Sequence, residues 1–177
     1  MKTDIIRIDN QGNGFYDALE ETSKAAAYAE LTSKDAIQLR VLTHEMLCLA
    51  RSITGEMKAD FWIEREGGKF DLHMTTETTM DAEKRSLLLQ AATSRKNEAA
   101  KGFLGWLRDS VEQALAAPVD HSDENVPYDV IADISSQPVG EPDWDGYERS
   151  VLRKLADDVK VGIRGYQTEL ILEKKLG

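Results

Sequence analysis

Ser33–Glu56 reads SKDAIQLRVLTHEMLCLARSITGE, and Phe61–Met74 reads FWIEREGGKFDLHM. In the first stretch Leu39, Leu42, Met46, Leu49 and Ile53 recur at steps of three and four residues, which puts them on one face of a helix. That helix is predicted over about Lys34–Thr54, with Thr32 and Ser33 offering N-cap hydroxyls and Gly55 a C-cap. In the second stretch Phe61, Ile63 and Arg65 alternate with Trp62 and Glu64, and Phe70, Leu72 and Met74 alternate with Asp71 and His73. Period two on both sides of Gly67-Gly68 predicts a β-hairpin. A helix with one apolar stripe and a hairpin with one apolar face each need a partner layer, so the pair points to an α+β sandwich.

The flanking segments extend this reading. Asp4–Asp9 is a short strand candidate, broken by Gly12 and Gly14. Phe15–Glu30 is an Ala-rich amphipathic helix with Phe15, Leu19, Ala26 and Ala29 along one side. After a polar β-prone stretch at Thr75–Thr79, a helix begins near Asp81 and carries Leu87, Leu88 and Leu89. The polar turn Ser94–Asn97 interrupts it, and a further helix is predicted over about Glu98–Leu115. The chain ends with a capping box, Asp145-x-x-Glu148, a helix to about Asp158 that buries Tyr147, Val151 and Leu155, and a hairpin of Lys160–Arg164 with Gln167–Leu176. The expected architecture is a single domain over 1–177. It is a two-layer α/β sandwich with one mixed, largely antiparallel sheet and helices on one face.

Between Val119 and Tyr147 stand eight acids (Asp120, Asp123, Glu124, Asp129, Asp133, Glu141, Asp143 and Asp145) and no Lys or Arg. Removing them from the 32 acids leaves 24 against 22 bases, so most of the net charge of −10 belongs to one segment. All four prolines (Pro118, Pro127, Pro138 and Pro142) fall in the same stretch, which reads as an acidic loop or lid at about 117–145 with one strand candidate, Tyr128–Ile134. This charge balance disfavours nucleic acid, whose phosphates need concentrated positive charge. It leaves room for a basic protein partner. No apolar run approaches the roughly 20 residues of a membrane span, and the start, MKTDIIRIDN, has no apolar signal core. With Cys48 as the single cysteine, expected to be a buried inert thiol, the reading is cytoplasmic.

Glu45, beside His44, is the carboxylate placed within the long helix. Adjacent helical residues diverge by about 100°, so the two are expected not to form a dyad. His73 and Asp71 are expected on the solvent face of their strand. His44, His73 and His121 are too far apart for metal-ligand spacing, and no metal is expected. Trp62, whose strand neighbours turn inward, is a candidate partner-binding anchor, with Asp143, Trp144 and Asp145 in the acidic segment.

This order of elements, with RVLTHEMLCLARSI in the second helix and LADDVKVGIRGYQTELILEKKL at the close, resembles the GHKL (Bergerat-fold) ATPases. Within them it is most similar to the bacterial serine-protein kinase anti-sigma factors. The resemblance implies a Glu-x-x-x-Asn motif whose glutamate activates the attacking group and whose asparagine holds magnesium. Glu45 matches the glutamate, but Leu49 stands at the asparagine position. The family's Asp-x-Gly-x-Gly motif, which reads adenine, is replaced near Thr76 by Thr76-Glu77-Thr78. Lys101-Gly102-Phe103-Leu104-Gly105 echoes the Gly-rich phosphate loop, although Gly102 and Gly105 also suit close helix packing. Three readings follow. One is a catalytically degenerate domain that acts by protein binding, with a sigma factor or an anti-sigma antagonist as partner and no cofactor. Another is an active kinase using ATP and magnesium with divergent motifs. The third is an unrelated α/β domain. Oligomeric state is left open.

Overall fold

The computed structural model describes residues 1–9, 11–54, 58–100 and 152–177. In order, β1 is Ile6–Asp9, α1 Phe15–Tyr28, α2 Ser33–Thr54, β2 Lys58–Glu66, β3 Lys69–Glu77, α3 Ala82–Ala91, β4 Asp158–Arg164 and β5 Gln167–Lys175. A single 3-10 turn covers Glu98–Ala100, and residues 152–155 are helical. The helix expected over 98–115 is described only in that first turn. The acidic segment, Tyr147, Val151, Gly102, Gly105, Asp143, Trp144 and Asp145 lie outside the described residues.

Local chemistry sets the element ends. Thr32 Oγ1 accepts from Asp35 N at 3.2 Å and donates to Asp35 Oδ2 at 2.8 Å, capping α2. Asp81 caps α3 by accepting from Lys84 N at 2.8 Å. Gly14 precedes α1 at φ +79°, and a Cβ there would lie 2.0 Å from the Arg7 carbonyl oxygen, so the chain can pass β1 this closely only with glycine. Gly68 plays the same part in the hairpin, since a Cβ would stand 2.8 Å from Leu176 O.

The strands form one sheet in the order β1-β2-β3-β5-β4. Every neighbouring pair is antiparallel, where a mixed, largely antiparallel sheet was expected. Two hairpins meet through β3 and β5, and β1 pairs with β2, each pairing antiparallel. Ala59, Phe61, Ile63, Phe70, Leu72, Met74, Val159, Val161, Ile163, Leu170 and Leu172 alternate onto one sheet face and are buried. That face shares a core with α1 (Ala18, Ala25, Ala26), α2 (Leu39, Leu42, Met46, Leu49), α3 (Leu88) and Leu152. The arrangement is an α+β fold compatible with a two-layer α/β sandwich. Leu47 and Ala50 are buried too, so α2 contributes a broader face than its periodic stripe. Leu152, one turn before the expected Leu155, anchors the helical turn ahead of β4.

The β4 edge is closed by side chains. Asn97 Nδ2 donates to Ile163 O at 2.9 Å and its Oδ1 accepts from Ile163 N at 2.8 Å, imitating a neighbouring strand. Thr93 donates its amide to Val159 O, and its hydroxyl oxygen accepts from Val159 N, both at 2.9 Å. This covers an edge that would otherwise invite strand pairing. Among the described residues no helix is long and apolar enough to cross a membrane.

Candidate functional site

Glu45 lies on the boundary of α2, its side chain 18% exposed. Its Oε1 is 3.2 Å from His44 Nδ1, so the two do meet, contrary to the divergence expected of adjacent helical positions. The long glutamate side chain spans the angular gap. One turn further, Cys48 Sγ lies 3.8 and 3.9 Å from the two ring nitrogens of His44, and Cys48 is half-buried where a buried thiol was expected. The spacing i, i+4 brings these two side chains together on one helix face. Phe15 packs edge-on against the His44 ring with 5.7 Å between centroids.

Leu49 is fully buried among the core aliphatics. Its side chain carries no oxygen, and a hard cation takes oxygen ligands. Among the described residues no group of three or more His, Cys, Asp or Glu side chains is gathered to hold a metal ion.

A cleft of about 550 Å³ opens at the sheet end where β1 and β3 finish and β2 and β5 begin. Ile8 and Ala59 form its apolar part, Thr76 and Gln167 its neutral polar part, and Lys58 and Asp60 carry opposite charges at its rim. None of its described lining residues comes from α2. Thr76 Oγ1 is buried with no hydrogen-bond partner. Thr168, its cross-strand neighbour on β5, is in the same state. Thr168 lines an adjoining hollow of about 210 Å³ that shares Thr75 and Gln167 with the cleft. Two orphaned hydroxyls side by side are costly in a native core and mark this end of the sheet.

The other sheet face is polar. Trp62 and His73 are cross-strand partners and their rings stack at 4.8 Å, 5° from parallel. Lys2 Nζ sits 4.9 Å above the indole and 2.9 Å from Glu64 Oε1, which also accepts from Trp62 Nε1 at 3.0 Å. The bonds from Lys2 and then Trp62 hold the Glu64 carboxyl below its ordinary range, against a small opposing effect of burial. His73, expected to face solvent, has a side chain only 14% exposed, and its ring nitrogens make no hydrogen bond. Burial holds its pKa below the ordinary 6.5, while Glu64, Asp71 and Glu169 pull the other way. Beside this stack Lys69 bridges Asp71 and Glu173 at 3.0 and 3.1 Å, and Lys160 pairs with Glu173 as well. Burial raises the Glu173 carboxyl, but Lys160 and Lys69 outweigh it and its pKa lies below the ordinary value.

Of the residues singled out in the sequence, Thr76 lines the cleft, Glu45 stands on α2 away from its lining, Leu49 is core, and Trp62 is engaged in a stack on the polar face. The structure does not gather them into one site. Sequence reasoning missed Thr168, because its relation to Thr76 depends on β3 pairing with a strand more than 90 residues later. It also missed the capping of the Trp62–His73 stack by Lys2. No protein-family model and no curated protein matches the chain.

Proposed function

We propose that this chain is a binding domain without phosphotransfer activity, a catalytically degenerate GHKL-like domain that engages a protein partner in bacterial cytoplasmic regulation. A sigma factor or an anti-sigma antagonist is the partner class that the resemblance implies. The observation carrying the reading is Leu49: the position of the magnesium ligand is occupied by a fully buried aliphatic side chain packed into the core. Without that cation Glu45 is a base with nothing to offset the charge that develops in phosphoryl transfer. Glu45 is also taken up by His44 at 3.2 Å. The test is calorimetric titration with ATP and magnesium, paired with a radiolabel phosphotransfer assay on the whole chain. The expected result is no magnesium-dependent binding and no label transfer. Micromolar, magnesium-dependent binding that disappears in Glu45→Ala would sink the proposal and favour the kinase reading.

A second reading rests on Thr76. Thr76 lines a cleft large enough for a nucleoside, and its hydroxyl, buried just beneath that lining, has no partner. It is suited to magnesium-independent adenine binding through a neutral hydrogen bond. Adenosine titrated in the presence of EDTA should then bind the native chain and not Thr76→Val. Equal heats for the two proteins would eliminate this reading.

A further inference from the structure

The outward side of α2 is unlike the rest of this acidic chain. From Ser33 to His44 the exposed residues are Ser33, Lys34, Ile37, Arg40, Val41 and His44, spaced by one, three, three, one and three. They form one continuous helical stripe about 17 Å long at 1.5 Å per residue. It carries two full positive charges, two β-branched aliphatics and no exposed acid. Ile37 is 64% exposed. The acids within and just after the stripe are turned aside, since Asp35 caps the helix through Thr32 and Glu45 is half-buried against His44, while Glu30, three residues before it, is exposed. At the His44 end the stripe meets Phe15 and, beyond it, Tyr16, which is 81% exposed. The neighbouring helix α1 carries Glu20 and Glu21, both paired with Lys24 at 2.9 and 3.8 Å, and an exposed Asp17.

We propose that this stripe docks an acidic, apolar-bearing segment of a protein partner, with carboxylates on Lys34 and Arg40 and aliphatic side chains on Ile37, Val41 and Tyr16. The inference rests on the binding-domain reading and names its surface. Charge complementarity selects the occupant. A second copy of the chain meeting this face about a two-fold axis would set one cationic, acid-free stripe against another. A nucleic-acid backbone would leave Ile37 and Val41 facing phosphates, and two cations release too few counterions for useful affinity. An acidic amphipathic helix satisfies both halves of the stripe at once.

The probe is a fluorescent synthetic helix of Glu and Leu, with the leucines at i, i+3, i+4 spacing, and a Lys/Leu counterpart as control. Binding to the isotope-labelled full chain is read by anisotropy and by amide chemical shifts. The acidic helix should bind, shift the amides of Lys34 through His44 and weaken as salt rises. Lys34→Glu with Arg40→Glu should weaken it about tenfold, and so should Ile37→Ser alone, with urea midpoints near that of the native chain. Equal binding of the basic helix, shifts confined to other elements, or light scattering that shows a dimer broken by Ile37→Ser would each overturn the proposal. Shifts at another surface would remove this face and leave the binding-domain reading standing. Magnesium-dependent phosphotransfer would remove the parent reading without moving the peptide-induced shifts.

Discussion

Replacing Thr76 or Thr168 by valine should make this protein more stable. Both hydroxyls are buried and neither has a hydrogen-bond partner. In the unfolded chain each is hydrated, so folding strips water from it and returns nothing, at a cost of about 1–3 kcal/mol. Valine keeps the β-branched shape that suits a strand and puts a methyl group where the hydroxyl was. The gain expected is about 1–2 kcal/mol per site, or a rise in midpoint of roughly 2–4 °C per kcal/mol for a chain of this size. Urea unfolding followed by tryptophan fluorescence measures it, with an unchanged m-value showing that only stability moved. The two residues are cross-strand neighbours, so the double variant tests their independence. Gains that add to within about 0.5 kcal/mol mean that the hydroxyls do not bond each other. Loss of about 1 kcal/mol or more in either single variant would refute the reasoning, because it would require an ordered water or another partner at that hydroxyl.

Leu49→Asn should cost about 2–4 kcal/mol and yield no ATP turnover, because the amide would be buried among aliphatics; urea melts and a phosphate-release assay check both halves. Asn97→Ala should cost about 1–3 kcal/mol and promote self-association, since it frees Ile163 N and O at the β4 edge, a change visible by light scattering. Because burial holds the His73 pKa below 6.5, the unfolded chain takes up the proton first as pH falls. Stability from this residue is therefore full above pH 6.5 and declines as pH drops toward the folded value, and His73→Gln should flatten that part of the pH–midpoint curve. Gly14→Ala should destabilise by about 2 kcal/mol or more, since an L-residue meets both the positive φ and the Arg7 carbonyl, as thermal melts would show.

Periodicity made most of the fold legible. Leu39, Leu42, Met46 and Leu49 announced α2 because a helix can bury only one face, and Phe61, Ile63, Phe70 and Leu72 announced a hairpin because strand side chains alternate. Gly67-Gly68 and Asp81 marked ends through backbone freedom and capping, both local properties. That Leu49 has no oxygen to offer a cation was equally legible, a matter of side-chain chemistry that no folding can reverse.

What the tertiary structure alone decided are the relations between distant segments. That β3 pairs with β5 sets Thr76 beside Thr168, and that β2 pairs with β3 in this register stacks Trp62 on His73. Neither follows from any local pattern, because strand pairing is settled by which apolar faces reach a common core. Asn97 reads in sequence as part of a polar turn and becomes a strand mimic only when β4 arrives beside it. The separation of Glu45 from the cleft has the same origin: the stripe of α2 is buried against the sheet, its boundary residues are left at the rim, and the cleft forms where the strands end.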